Sequence, residues 1–120
     1  MKKIITTLLL LISTVCFSMT YADVPYDLQG EWYRTGDKDG EDGGFLYMVS
    51  GMMITNRYAA LIITDVQIQE TNITIEYTLI TEDPKRYFVV AVSKEDPGTI
   101  ILLVYKNKKV INSQYIEIRQ

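Results

Sequence analysis

The sequence predicts an all-β protein, a small antiparallel meander β-barrel of about eight strands, preceded by a cleaved export signal. Three observations carry that expectation. Several segments alternate apolar and polar residues with a period of two, as in "ITIEYTL" from Ile73 to Leu79. Turn-forming clusters separate these segments at short intervals. No stretch shows a helical period better than alternation.

Met1-Lys2-Lys3 is a cationic start, and the apolar run Ile4 to Phe17 leads to Ser18-Met19-Thr20-Tyr21-Ala22. Charge, apolar segment and small residues at Thr20 and Ala22 are the order of a secretory signal. The run is shorter than the ~20 residues that span a bilayer, and Thr6, Thr7, Ser13 and Thr14 interrupt it. Cleavage after Ala22 is expected, with residues 1-22 as signal peptide and 23-120 as one barrel domain. Localisation is then exported, periplasmic or secreted, with no stable membrane anchor. Cys16 follows bulky Val15, unlike a lipoprotein site, and goes with the leader.

The remaining chain, Asp23 to Gln120, has neither cysteine nor histidine. Loss of Lys2 and Lys3 takes the basic residues from 12 to 10 against 15 acidic ones, a net charge of −5. A surface of that sign repels phosphate backbones and anionic lipid, which argues against nucleic acid as a partner. Without disulfides, stability rests on a hydrophobic core.

Along the chain, "DLQGEWYRTG" (Asp27 to Gly36) opens the first strand. "AALII" (Ala59 to Ile63), "VQIQ" (Val66 to Gln69) and "ITIEYTL" follow, the last with Ile73, Ile75, Tyr77 and Leu79 on one face. Asn72 is read as a left-handed corner between the last two. Glu82-Asp83-Pro84-Lys85 reads as a type I turn. Glu95-Asp96-Pro97-Gly98 reads as type II, with Gly98 at positive φ. "YFVVAV" (Tyr87 to Val92) and "IILLVY" (Ile100 to Tyr105) are apolar on both faces, so their outer face calls for a cover. A homodimer through these two strands is one way to supply it. Lys106, Lys108 and Lys109 follow as charges that discourage edge-to-edge aggregation. In "YIEIR" Ile116 and Ile118 point inward and Arg119 to the opposite face.

Leu28-Gln29-Gly30-Glu31-Trp32, then a glycine-rich loop and a β-meander, resembles the start of the lipocalin-like (calycin) barrels, whose first strand carries Gly-x-Trp. The resemblance implies that Trp32 packs across the closed end, that Gly30 lets the strand coil, and that a late arginine, Arg119, stacks over the tryptophan. A large flat ring suits an eight-stranded barrel, whose interior just accommodates side chains or one small ligand. The same opening is similar to that of small periplasmic metalloprotease-inhibitor barrels. In those the residues before the barrel, here Asp23 to Asp27 with Pro25 stiffening them, enter the protease cleft.

The loop Gly36 to Gly44 carries Asp37, Asp39, Glu41 and Asp42. Acids at alternate positions suit calcium, but position 6 is Asp42 instead of glycine, and position 12 is Met48 instead of a bidentate glutamate. No metal and no cofactor are assigned. Catalysis lacks the usual histidine or cysteine. Of Ser50, Ser93 and Ser113 only Ser93 has a lysine beside it, Lys94, in a turn that points the two apart, and the acids cluster in turns. The chain is therefore read as a non-enzyme that binds a small apolar ligand. The alternative is a periplasmic inhibitor or immunity protein that blocks an enzyme or toxin. Ligand-contacting candidates are Met52, Tyr77, Tyr87 and Tyr105, since tyrosine joins an apolar face to a polar tip.

Overall fold

The computed structural model describes residues 15-21 (backbone path and pairing), 23-36 and 44-120. The remainder of the expected leader and the acidic loop Asp37 to Asp42 lie outside the described residues.

Among the described residues nine strands form one antiparallel sheet: β1 (Val15–Tyr21), β2 (Gly30–Arg34), β3 (Phe45–Val49), β4 (Met53–Thr55), β5 (Ala60–Thr71), β6 (Thr74–Thr81), β7 (Arg86–Ser93), β8 (Ile100–Lys106) and β9 (Lys109–Arg119). Each of β2 to β8 pairs with the next strand in the chain, and β9 returns to β2, with Trp32 opposite Ile118. These eight close an antiparallel barrel, an architecture consistent with a lipocalin-like fold. Strand β1 stands outside the ring and pairs with β5 alone.

The alternation read in the sequence becomes the inside and outside of this barrel. Trp32, Val66, Leu79, Val90, Leu102 and Ile116 are buried and fill its middle. Tyr47 bridges two of the strands, its ring edge-on to Trp32 at 6.4 Å and to Phe88 at 5.3 Å. Val89 and Ala91 on β7 and Ile101 and Leu103 on β8 alternate with the buried residues and lie half-buried on the outer face. The apolar outer face expected from the sequence is there, but neighbouring side chains partly cover it.

Several turns differ from their expected form. Gly98 does not have positive φ; Thr99 N–H donates to Asp96 O at 2.8 Å, and Asp96 Oδ1 accepts Gly98 N–H at 3.2 Å. The Asp96 carboxylate organises this turn in place of a left-handed glycine. Asn72 is not left-handed either. The β5–β6 turn is held by Thr71 Oγ1, which accepts the Thr74 N–H at 3.0 Å, and Ile73 sits in it 74% exposed rather than facing inward. The β8–β9 turn carries the strain: Asn107 and Lys108 have φ of 54° and 65°, the two left-handed positions of a type I′ hairpin. Pro84 does sit in a turn, but one residue later than expected: the turn runs from Asp83 to Arg86 and is closed by Arg86 N–H donating to Asp83 O at 3.0 Å.

Candidate ligand-binding site

The chain approaches the barrel through a short 3-10 turn, Tyr26–Leu28, that folds across the end where β2 begins. Pro25 O accepts the Leu28 N–H, and Tyr26 O accepts that of Gln29, both at 3.0 Å. Val24 and Leu28, each 2% exposed, insert into the core. Three further contacts pin the segment: Val24 N–H to Gly51 O at 2.9 Å, Gln120 Nε2 to Tyr26 O at 2.6 Å, and Trp32 Nε1 to Leu28 O at 2.7 Å. Residues Asp23 to Asp27 are thus docked on the barrel, and the free cleft-entering arm implied by the inhibitor resemblance is not the form seen.

Gly30 sits directly after this turn with φ of +128°. A Cβ there would lie 2.5 Å from Arg119 O, so both the backbone conformation and the close approach of β9 require glycine. Trp32 is 0% exposed in the barrel core, tied to Leu28 by its Nε1 hydrogen bond. Arg119 does not stack over it. Its guanidinium lies 3.9 Å from the ring centre of Tyr33 on the outer face and pairs with Glu117 at 2.6 Å. The reason is register: Ile118 is opposite Trp32, so its neighbour Arg119 turns outward with Glu31 and Tyr33.

The turn covers only part of the barrel end. Between it and β5 to β8 lies a cavity of about 520 Å³. Leu28, Ile75, Tyr77, Val92 and Ile100 give it apolar walls, and Asp27, Glu70 and Lys94 bring charge to its rim. Glu70 and Lys94 form an ion pair at 2.8 Å. Burial holds the Tyr77 hydroxyl above the usual phenol range, and the negative charges of Asp27 and Glu70 add to that. Tyr77 is therefore a neutral donor in a mostly apolar space.

A smaller cavity of about 190 Å³ opens at the opposite end, over Tyr47, Ile54, Leu61, Phe88 and Val104, with Asn56, Arg86 and Lys106 around it. Burial also raises the Tyr47 phenol, while the Arg86 charge works against the rise.

The four candidate residues do not share one site. Tyr77 lines the larger cavity and Tyr105 the rim of the smaller one. Tyr87 stacks on Tyr105 with ring centres 4.5 Å apart. Met52 lies 63% exposed between β3 and β4. Sequence reasoning missed Asp27, Leu28, Glu70, Val92, Lys94 and Ile100. Leu28, two residues before Gly30, was the one signal that the approach segment caps the barrel. The chain matches no family model, no curated protein and no solved structure.

Proposed function

We propose that this chain is an exported, non-catalytic binding protein of lipocalin-like form, which holds a small apolar ligand in the cavity beside Leu28. The observation that carries the reading is that cavity: about 520 Å³, apolar on most sides, with the Tyr77 hydroxyl and an ion pair at its edge. Small-molecule sites have this size and this mix of apolar wall and few polar groups. Native mass spectrometry of the protein purified gently from its producing cell tests it. A retained mass of a few hundred daltons is expected, and Val92→Trp, which fills the cavity, should lose it. A bare protein, or a mass retained equally by the filled variant, would overturn the reading.

A second reading, an inhibitor or immunity barrel that binds protein, is favoured by the outer face of β7 and β8. There the Tyr87 and Tyr105 rings stack beside Val89 and Leu103. Aromatic and branched side chains of this kind anchor protein interfaces, including a homodimer through these strands. Sedimentation of the wild type and of Leu103→Glu separates the cases: a complex or dimer lost in the variant supports this face as the contact.

A further inference from the structure

Strand β5 is 12 residues long, but its neighbour β4 has only 3 and reaches no further than Ile62. On its other side β6 pairs with β5 from Ile63 to Glu70. An antiparallel strand directs its hydrogen-bonding groups to both sides in alternation. The stretch Val66 to Thr71 therefore presents donors and acceptors that the barrel ring does not use. In the structure β1 takes them, in an antiparallel register running from Val15 opposite Thr71 to Tyr21 opposite Val66.

We infer that the Val66–Thr71 edge of β5 is a strand-acceptor site, which takes an extended antiparallel segment of a partner protein bearing apolar residues at alternate positions. The chemistry of the occupant is read from the segment that fills the edge. In Phe17-Ser18-Met19-Thr20-Tyr21, apolar and polar residues alternate, and the apolar ones stand in register with Glu70, Ile68 and Val66. The edge itself carries none of the usual devices against pairing. Val66-Gln67-Ile68-Gln69-Glu70-Thr71 has no proline and no lysine, and its single charge, Glu70, is engaged by Lys94. Next along the same side of β5 the surface turns apolar, with Met48, Met52, Met53 and Ile62 all exposed, and methionine adapts to varied partners. A second copy of the chain fits less well. Pairing two β5 edges about Ile68 sets Glu70 opposite Val66 twice and leaves Ile68 against Ile68 as the one apolar pair, whereas β1 sets Tyr21 opposite Val66 and Met19 opposite Ile68 and only Phe17 opposite Glu70.

In the cell, exposure of this edge rests on the proposed removal of residues 1-22, which takes β1 away. N-terminal sequencing of the exported protein tests that removal on its own: a start at Asp23 supports it. The acceptor site is tested separately on the full chain. Met19→Pro with Thr20→Pro breaks the β1 ladder whichever of the two residues faces β5. Amide exchange should then quicken in Val66 to Thr71 while β7 and β8 stay protected. The variant, unlike the wild type, should raise the anisotropy of a fluorescein-labelled Val15–Tyr21 peptide carrying Cys16→Ser. A peptide of the same composition with its apolar residues grouped together should bind about tenfold more weakly, because its cross-strand pairs change face. Unchanged exchange at the edge, equal binding of both peptides, or self-association in place of peptide binding would overturn the inference. If the proline variant loses protection in β7 and β8, cutting the folded chain at a protease site inserted after Ala22 provides the same readouts.

Discussion

Replacing Trp32 with alanine tests whether one ring holds the capped end together. The side chain is 0% exposed, meets Tyr47 edge-on, and donates from Nε1 to Leu28 O at 2.7 Å. Truncating a buried aromatic costs about 3–5 kcal/mol. A domain of this size has only about 5–15 kcal/mol in total, so the loss is a large share. With a urea slope of ~2 kcal/mol per molar, the unfolding midpoint should fall by roughly 2 M. Far-ultraviolet circular dichroism is the assay, because the substitution removes the single tryptophan whose fluorescence would otherwise report unfolding. Trp32→Phe then separates packing from hydrogen bonding. It keeps a ring but leaves the Leu28 carbonyl without its donor, which should cost about 1–3 kcal/mol. It should also weaken ligand retention, since Leu28 is a wall of the cavity. A loss below ~1 kcal/mol for the alanine variant would refute the argument that the ring plugs the barrel.

Gly30→Ala forces a Cβ to within 2.5 Å of Arg119 O at a φ of +128°, so thermal unfolding should show a loss of at least about 2 kcal/mol; a neutral result would mean that β2 and β9 separate readily there. Lys108→Gly should stabilise by about 1 kcal/mol, because Lys108 occupies a left-handed position of the I′ turn at φ 65° that glycine takes without penalty, and a lower urea midpoint would contradict this. Stability should fall in the alkaline range. Tyr47 and Tyr77 have folded-state pKa values above their unfolded ones, so their contribution is complete below the unfolded phenol pKa and is lost as pH rises through the folded values. The variant Tyr47→Phe/Tyr77→Phe should flatten that decline in pH-dependent urea titrations, and an unchanged slope would assign it to other groups.

The barrel was legible because its evidence is local. Alternation in Ile75, Tyr77 and Leu79 needs no knowledge of the partner strand, and Gly30 followed by Trp32 marks a coiled, plugged beginning. Register is not local. The resemblance put Arg119 over Trp32 while the alternation with Ile116 and Ile118 set it on the opposite face, and the pairing of Ile118 with Trp32 decides for the second. The turns were misread for a related reason. Glycine and asparagine permit positive φ without requiring it, and at Gly98 and Asn72 a nearby Asp96 carboxylate and Thr71 hydroxyl close the turn by hydrogen bonds instead. The strained hairpin fell to Asn107 and Lys108, where the four polar residues Lys106 to Lys109 between two apolar runs were the available signal. The cavity was least legible. Its walls come from five separate elements, and only Tyr77 had a chemical reason to be singled out.

The packing of the middle decides where this protein can bind anything. Trp32, Leu79, Leu102, Val90, Val66 and Ile116 fill the centre, so a ligand cannot occupy the full length of the barrel. Interiors at native density leave few voids larger than a water molecule, and space survives only where the strands outrun their neighbours. That condition holds at the capped end. The 3-10 turn is a single short element laid over a ring of eight strands, and it leaves the β5 to β8 side open. It also holds along β5, whose 12 residues outrun the 3 of β4. Both features follow from unequal strand lengths around one barrel, and they meet at Glu70, which lines the cavity and lies on the stretch of β5 that β4 does not reach and β1 pairs. The binding proposed above therefore falls at the ends and edges of the barrel, through contacts that leave the packed centre undisturbed.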